Sequence, residues 1–265
     1  MRLRIDGLKL NNIVPRLDVV LIGDNPASLI YVETKQKAAK ALGIDCVIHA
    51  LPKTVSEAEA VAKVAALNVP ETHGIIVQLP VPPHIKADAL IQRIDPARDV
   101  DGLTLTSIGE RILGYPALLP CTPKGVMKLI KSVRSDLTGQ HAVVIGRSNL
   151  VGKPIGQLLL QHDCSVTQIH SKSENAVPLI KQADILVVAI GRPHHVKAEW
   201  IKPGALVIDV GITRVDGKIQ GDVDFDNARH IAGAITPVPG GVGPMTVACL
   251  MENVVEAAEA SLAKK

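Results

Sequence analysis

The stretch HAVVIGRSNLVGKPIGQLLL, residues 141–160, decides the fold of this chain. It predicts a strand over His141–Ile145, then a glycine-containing turn, then a helix that Pro154 opens. Gly146 and Gly152 let the backbone approach a ligand closely, and the free N–H groups at the start of the helix can bind phosphate. The spacing departs from G-x-G-x-x-G, so the stretch indicates a nucleotide site only together with the strands and helices around it.

Short apolar runs alternate with amphipathic stretches on both sides of this motif, which predicts an α/β fold with parallel sheets and helical crossovers. Ser28 and Ser56 are interpreted as helix N-caps and Gly43 as a helix stop. The predicted strands are Arg16–Asp24, Asp45–Leu51, His73–Leu79, His141–Ile145, Ser165–His170, Asp184–Ile190, Ala205–Val210 and Ile231–Thr236. The predicted helices are Ser28–Leu42, Ser56–Asn68, Ile85–Ile94, Pro123–Val133 and Thr246–Lys265.

The alternation of apolar and amphipathic stretches is interrupted where Pro116, Pro120 and Pro123 fall within eight residues, and we place a domain boundary there. The chain after this boundary has the alternation of a Rossmann-type, doubly wound parallel-sheet domain. The last predicted helix has apolar residues at helical spacing and is expected to return to the first domain. We therefore predict an N-terminal α/β substrate domain of residues 1–121 plus 246–265 and a nucleotide-binding domain of residues 122–245.

The composition favours a core of aliphatic side chains, because 47% of the 265 residues are hydrophobic and only 2% are aromatic. Few rings are available to stack on bases, and the basic residues are scattered over a chain of net charge +3, which excludes a nucleic-acid partner. The sequence opens in polar residues that do not form a signal peptide, and no apolar run approaches the ~18 residues that a membrane span needs. The four cysteines lie far apart, which is typical of reduced thiols in a cytoplasmic protein.

The strand that follows the glycine turn indicates the cofactor. NAD enzymes commonly carry Asp or Glu at the end of this strand, about 20 residues beyond the glycines, to bind the ribose hydroxyls. Here Ile169–Ser173 holds no acid, and Arg147 lies in the glycine turn. A carboxylate would repel a 2′-phosphate, whereas basic and hydroxyl groups attract it, so the sequence predicts NADP. A strand end that is merely polar is the alternative.

A second group of candidate residues lies in the first domain. Tyr31 and Lys35 are four residues apart and share one helix face, with Ser28 one turn earlier. Gln78 ends the third predicted strand, and Asp101 follows the next predicted helix. Ligands of open α/β sheets bind at the carboxyl ends of the strands, which makes these residues a candidate site. Spacing alone leaves a surface pair of Tyr31 and Lys35 equally open.

Two patterns resemble metal ligands, and we interpret neither as a metal site. His194 and His195 adjoin a proline in a predicted loop and have no Cys or acidic companion at ligand spacing, which favours solvated histidines. Asp222, Asp224 and Asp226 imitate the start of a calcium loop, but the glycine and the closing glutamate of such a loop are missing. We therefore predict no bound metal.

Motifs along the whole chain resemble those of the bifunctional methylenetetrahydrofolate dehydrogenase/methenyltetrahydrofolate cyclohydrolase family. Two of them, GRSNLVGKP at residues 146–154 and TPVPGGVGPMT at residues 236–246, are far more specific than a generic glycine motif. The others, in chain order, are IDG (5–7), GDNPAS (23–28), YVETKQKAA (31–39), GIIVQLP (74–80), DVDGL (99–103), PCTPKG (120–125), HSK (170–172), QADILVVAIG (182–191) and VIDVGI (207–212).

The resemblance implies a homodimeric enzyme that oxidises methylenetetrahydrofolate with NADP and then hydrolyses the methenyl product to formyltetrahydrofolate. By the family's pattern Lys35 is the catalytic lysine, with Tyr31 beside it and Gln78 as its partner. Asp101 corresponds to the carboxylate that holds the pterin ring. The implied substrate contacts are Ser28, Tyr31, Lys35, Val77, Gln78, Leu79, Asp101, Pro239, Gly240, Gly241, Val242 and Gly243, and the implied NADP contacts are Gly146, Arg147, Ser148, Ser171 and Ile212.

The two implied reactions make different demands on the candidate residues. Hydride transfer requires orientation, whereas hydrolysis requires proton transfer, for which Lys35 is the candidate. Two other functions stay in view: an NADP-dependent dehydrogenase of another small acid, of the shikimate or amino-acid type, and a non-catalytic NADP sensor. The first leaves the PGGVGP loop unexplained, and the presence of both Lys35 and Gln78 disfavours the second.

Overall fold

Two parallel sheets form the centres of two separate units in the computed structural model, which describes residues 1–262. The first unit contains Met1–Cys121 together with the C-terminal segment from Val247, and the second contains Thr122–Thr246. All eight predicted strands are present, so the predicted α/β class with parallel sheets is confirmed. Among residues 1–262 there is no helix with the length and apolar character that crossing a membrane requires.

The sheet of the first unit has three parallel strands in the order β2-β1-β3, with β1 in the middle. Its strands are β1 (Arg16–Ile22), β2 (Asp45–Leu51) and β3 (Gly74–Val77). Its helices are α1 (Arg2–Leu10), α2 (Pro26–Leu42), α3 (Glu57–Ala65), α4 (Ala87–Ile91) and α5 (Leu105–Leu113), with a 3-10 turn at Pro96–Arg98. Two of the three caps predicted for these helices are confirmed, at Ser56, which forms a capping box, and at Gly43, which has a positive φ of 77°, whereas Asn25 and not Ser28 caps α2.

The sheet of the second unit has five parallel strands in the order β10-β7-β6-β4-β5. The order changes direction between β4 and β6, which is the doubly wound arrangement that binds ligands beyond the strand ends at that point. The strands are β4 (His141–Ile145), β5 (Ser165–Ile169), β6 (Ile185–Val188), β7 (Leu206–Asp209) and β10 (Ala234–Ile235), with a hairpin of β8 (Thr213–Val215) and β9 (Lys218–Gln220). The helices that follow in the chain are α6 (Cys121–Val133), α7 (Gly152–Leu160), α8 (Ala176–Ile180), α9 (Phe225–Ala228) and α10 (Val242–Leu262), with a 3-10 turn at Ala198–Trp200.

Alternate residues of the central strand β1 enter two aliphatic cores, one on each face of the first sheet. Leu17, Val19 and Leu21 belong to one core, and Val20 and Ile22 belong to the other. The first of these cores also contains the apolar stripe of α10, with Leu250, Met251, Val254, Val255 and Ala258. The C-terminal helix therefore packs in the first unit, as the sequence predicted.

Several predicted helix starts were wrong by a few residues. Helix α2 begins at Pro26, because Asn25 caps it by accepting hydrogen bonds from two backbone N–H groups, and Ser28 lies inside its first turn. Helix α10 begins at Val242 and not at Thr246, since a proline is tolerated in a first turn, where backbone N–H groups have no helical partner. For the same reason, α6 and α7 each begin two residues before the predicted start, so that Pro123 and Pro154 are the third residues of these helices. The predicted continuation of the last helix to Lys265 lies outside the described residues.

A buried ionic cluster crosses the middle of the first sheet. Asp18 of β1 is fully buried, and its carboxylate accepts two hydrogen bonds of 2.9 Å from the Arg16 guanidinium. It also lies 2.6 Å from His49 Nε2 and accepts a bond of 2.8 Å from Thr72 Oγ1. Burial by itself would raise the pKa of Asp18, but the hydrogen bonds from Arg16, His49 and Thr72 outweigh it and hold that pKa below its ordinary value.

Replacement of Asp18 by Asn should destabilise the first unit by about 3 kcal/mol at pH 7, because it leaves the buried partners of the carboxylate unsatisfied. The folded-state pKa of Asp18 is depressed, so its contribution is complete above the unfolded pKa and is lost as the pH falls through the folded pKa. Urea unfolding at pH 7 and at successively lower pH should therefore show a steeper acid loss for the wild type than for Asp18→Asn. The control is Asp45→Asn on the neighbouring strand, whose side chain is exposed. Equal stability losses for the two variants would contradict this account.

Candidate functional site

Three polar side chains meet beyond the carboxyl edge of the first sheet. Lys35 lies on α2, which follows β1, and Gln78 comes directly after β3. Asp101 lies two residues after Asp99, whose backbone forms a parallel bridge to Ile75 of β3. The sheet therefore brings these residues together because its parallel strands, and the segment bridged to them, all end at the same edge.

The contact between Lys35 and Gln78 is direct and oriented. Lys35 Nζ donates a hydrogen bond of 2.8 Å to Gln78 Oε1. Gln78 is only 8% exposed, and its Nε2 donates a bond of 2.8 Å to the carbonyl of Leu79. This second bond fixes the amide with its oxygen toward the lysine. Since Lys35 is half-buried, one side of its amine is held while the rest stays accessible to a ligand or water.

Asp101 supplies a hydrogen-bond acceptor at a partly buried position. Burial raises the pKa of its carboxyl above the ordinary value, and the nearby Lys35 ammonium and the Cys121 thiol oppose that shift. Cys121 Sγ lies 3.3 Å from Asp101 Oδ1 and 3.2 Å from the carbonyl of Val100. Asp99 adds a further negative charge that raises the pKa of Asp101. A carboxylate held in this way can accept hydrogen bonds from the N–H groups of a planar ligand.

Residues that the sequence did not single out hold the Asp101 loop in place. Asn253 of α10 donates hydrogen bonds of 2.7 Å to the carbonyls of Val100 and Leu119. Arg111 of α5 donates a bond of 3.2 Å to the carbonyl of Gly102. Asn253 is a fully buried amide in an otherwise apolar helix stripe, and that mismatch was the one sequence signal that could have identified it.

Four other predicted substrate contacts of the first unit differ widely in how exposed they are. Tyr31 lies one turn before Lys35 and is 46% exposed. Ser28 is only 2% exposed, and its Oγ has no hydrogen-bond partner among residues 1–262. Val77 packs its side chain into the core, and Leu79 is partly buried against the same core. A ligand in this site can therefore reach Tyr31 by its side chain, whereas Val77 can offer only its backbone.

The second unit has a cavity of about 600 Å³ beyond the ends of β4, β5 and β6. It lies at the point where the strand order changes direction, where a doubly wound sheet binds its ligand. Three of the predicted NADP contacts, Gly146, Arg147 and Ser171, line it. Within the described chain the Arg147 guanidinium has no ion pair or hydrogen-bond partner. An unpaired guanidinium in a cavity with a serine hydroxyl fits a phosphate group.

The turn before α7 requires glycine at two positions. A Cβ on Gly146, whose φ is 122°, would lie 2.3 Å from the carbonyl oxygen of Ala189. A Cβ on Gly152 would lie 2.2 Å from the carbonyl oxygen of Gly146. Glycine at both positions therefore permits the tight turn from β4 into α7, and in doubly wound domains the start of the helix after such a turn binds a dinucleotide pyrophosphate. The residues present fit NADP.

Two other predicted NADP contacts are not among the residues that line this cavity. Ser148 Oγ accepts hydrogen bonds from the N–H groups of Val151 and Gly152, so it caps the start of α7. Ile212 is 48% exposed and lies on the chain between β7 and β8. The predicted folate loop at residues 239–243 has Gly240 in a positive-φ conformation, and its last two residues begin α10. Its role stays a prediction.

The patterns set aside as metal ligands have other structural roles. His195 is exposed as predicted, but it lines the cavity and packs edge-on against Trp200, with ring centroids 5.9 Å apart. Asp222 is fully buried, and its carboxylate accepts hydrogen bonds from backbone N–H groups. Within residues 1–262, no group of three or more His, Cys, Asp or Glu side chains is arranged to hold a metal ion.

Comparison with known proteins places both units in one family. The model for the tetrahydrofolate dehydrogenase/cyclohydrolase catalytic domain matches residues 1–101, and the model for the NAD(P)-binding domain of the same family matches residues 120–262. The bifunctional protein FolD of Geobacillus thermodenitrificans is 50% identical over 259 residues, which cover 97% of this chain and 91% of that protein.

Solved structures agree with this result. The bifunctional FolD methylenetetrahydrofolate dehydrogenase/cyclohydrolase of Campylobacter jejuni superposes with a TM-score of 0.96 at 42% identity, covering 98% of this chain and 93% of that one. The Trypanosoma brucei enzyme, solved with NADP and an inhibitor, gives a TM-score of 0.92 at 36% identity and covers 98% and 94% of the two chains.

Proposed function

This chain belongs to the tetrahydrofolate dehydrogenase/cyclohydrolase family, and we propose that it works through the cluster of Lys35, Gln78 and Asp101. It oxidises methylenetetrahydrofolate to methenyltetrahydrofolate with NADP and hydrolyses that product to formyltetrahydrofolate. The observation that carries the proposal is the 2.8 Å hydrogen bond from Lys35 Nζ to an amide that is itself locked in orientation. The identity of the chain with the FolD proteins favours this activity over a shikimate-type dehydrogenase or a non-catalytic sensor.

In the oxidation step, the residues of this chain position the substrate. Bound NADP supplies the hydride acceptor. Asp101 accepts hydrogen bonds from the amino-pyrimidinone edge of the pterin, which fixes the ring in its plane. The exposed ring of Tyr31 lies one helical turn from Lys35 and orients the rest of the folate. No proton moves in this step, because only a hydride leaves the methylene carbon.

In the hydrolysis step, a residue of this chain must transfer protons. A water oxygen bonds to the methenyl carbon, which carries the positive charge of the amidinium, and the water loses one proton to leave a neutral carbinolamine. One carbon–nitrogen bond of the ring then breaks: the hydroxyl loses its second proton as the formyl C=O forms, and the released nitrogen takes up a proton. Two protons leave the oxygen and one returns to the nitrogen, so that one proton is released overall. Lys35 is the group that can accept and return these protons, and Gln78 directs its amine.

For the second unit, we propose that Gly146 and the start of α7 hold the pyrophosphate of NADP, while Arg147 and Ser171 bind its 2′-phosphate. The lining of the cavity and the two glycines without room for a Cβ support this assignment. We also propose that the protein is a cytoplasmic homodimer, on the resemblance of its motifs to the family. Sedimentation equilibrium at micromolar concentration should then give twice the mass of the 28.1 kDa chain.

Lys35→Met keeps the length of the side chain and its apolar stem but removes the amine. Cyclohydrolase activity should fall by about 10²–10⁴-fold, the loss typical of a positioned acid–base group. Dehydrogenase activity should fall less, so the variant should release methenyltetrahydrofolate. The two half-reactions are measured separately, with methylene and with methenyl substrate. Lys37→Met is the control, since Lys37 lies on the same helix with its side chain 75% exposed.

An equal loss in both half-reactions with a raised KM would mean that Lys35 only anchors folate. Wild-type hydrolysis by Lys35→Met would remove it from the catalytic role altogether.

Asp101→Asn should weaken folate binding without changing NADP binding, because it replaces an acceptor oxygen by a donor at the pterin edge. The pKa of Asp101 is raised, so folate affinity of the wild type should fall as the pH is lowered toward that pKa, whereas the variant should show a flatter profile. Calorimetric titration with folate at several pH values measures both effects. Normal folate binding by the variant would assign Asp101 to the turn alone.

Arg147→Ala should weaken NADP binding by roughly 10- to 150-fold, corresponding to a charge-assisted contact of about 1.5–3 kcal/mol. Binding of NAD should barely change, since NAD lacks the 2′-phosphate. Lys153→Ala removes a cation on α7 whose amine bonds to Asn149, and it should leave both affinities near the wild type. Equal losses for NADP and NAD in Arg147→Ala would show that this residue does not read the 2′-phosphate.

A further inference from the structure

The backbone that follows β6 is held by a buried carboxylate that the proposed mechanism does not use. Asp222 Oδ2 accepts hydrogen bonds from the N–H groups of Ile190, at 2.7 Å, and Gly191, at 3.0 Å. Its Oδ1 accepts a bond of 2.6 Å from the N–H of Arg192. Gly191 has a φ of 64°, so three successive N–H groups turn toward one anion. This is the backbone nest that often binds phosphate, and here the chain fills it with its own carboxylate.

A second buried carboxylate fixes the position of the first. Asp209, at the end of β7, accepts hydrogen bonds from the N–H groups of Gly211, Asp222 and Val223 at 2.8–3.0 Å. The packing around the pair leaves no freedom, because a Cβ on Gly221 would lie 2.1 Å from Asp209 Oδ2. A Cβ on Gly211 would lie 2.3 Å from Asp222 Cγ. The 190–192 loop is therefore attached to a rigid support.

This loop presents a cation to the nucleotide cavity. Arg192 is exposed and lines the cavity together with Arg147 and Ser171. As with Arg147, no ion pair or hydrogen bond to its guanidinium is found in the part of the chain that the structure describes. The N–H groups of the loop are occupied by Asp222, so the positive charge that a ligand meets on this wall comes from the side chain of Arg192. Two unpaired guanidiniums in one cavity suit a dianionic phosphate.

We propose that Arg192 is a second specificity-determining contact for the 2′-phosphate of NADP and that Asp222 is its positioning residue. The inference rests on the proposed NADP site and adds two residues to it. Asp222 does not touch the cofactor; it sets the backbone from which the guanidinium of Arg192 extends. Loss of either residue should therefore act on the same interaction.

The test is calorimetric titration of NADP and of NAD into the full chain and its variants. Arg192→Ala should raise the Kd for NADP by about 5- to 20-fold and leave the Kd for NAD within about twofold. Asp222→Asn should raise the Kd for NADP by several-fold, and this effect should largely disappear when it is added to Arg192→Ala. The far-ultraviolet circular dichroism spectrum and the thermal unfolding midpoint should stay near those of the wild type in the variants whose Kd is interpreted, which reports an intact fold.

Two matched controls accompany these variants. Arg229→Ala removes an exposed arginine of the same unit that does not line the cavity. Asp224→Asn changes a carboxylate two residues from Asp222 that accepts a bond from Asn227. Both should bind NADP as the wild type does.

A Kd for NADP that Arg192→Ala leaves unchanged, or equal losses for NADP and NAD, would overturn the role of Arg192. If the effect of Asp222→Asn persisted in full beside Arg192→Ala, Asp222 would not act through that residue. A failure of Asp222→Asn to fold would still leave the Arg192→Ala titration decisive. Two other results would instead count against the proposed NADP site itself. One is weak NADP binding by the wild type, and the other is NADP binding by Arg147→Ala that is as tight as that of the wild type.

Discussion

Backbone N–H and C=O groups that leave a sheet while they are still buried must find new hydrogen-bond partners. Both candidate sites depend on this constraint. In the first unit, the carbonyls of Val100 and Leu119 are satisfied by the buried amide of Asn253. In the second unit, the N–H groups that follow β6 are satisfied by Asp222. In each case a side chain from later in the sequence fixes a loop that carries a proposed functional residue.

Close packing, together with these hydrogen bonds, explains why the C-terminal helix belongs to the first unit. Gly74 at the start of β3 has no room for a Cβ, which would lie 2.8 Å from Val100 and 3.0 Å from Val254. The strand, the Asp101 loop and α10 therefore meet at this glycine. Val254 enters the core, and its neighbour Asn253 reaches the loop, so one turn of helix provides both the packing and the hydrogen bonds.

The periodicity of the sequence was sufficient for the sheets but not for everything that positions the sites. All eight strands were predicted, because parallel strands buried on both faces produce aliphatic runs. Helices α1 and α5 were not predicted, since each buries only a small part of its surface: Leu3, Leu10, Leu105 and Leu113 are strongly exposed. The spacing of Tyr31 and Lys35 left a surface pair open, and the pairing of Lys35 with Gln78 was implied only by resemblance. From the sequence, Asp222 was considered only as part of an acidic triplet that imitates a calcium loop. Its role in binding backbone N–H groups could not be predicted, because the sequence does not show which N–H groups surround it.

The difference in burial within the first cluster suits a site that performs two reactions. Gln78 is buried with its amide locked, and the half-buried Asp101 accepts a hydrogen bond from Cys121, so both groups are held in place. Lys35 is only half-buried, and the neighbouring Tyr31 is exposed. Hydride transfer requires a substrate held still, which rigid groups achieve. Hydrolysis also requires that water and protons reach the reacting carbon, and they can do so on the side of the cluster where Lys35 remains accessible.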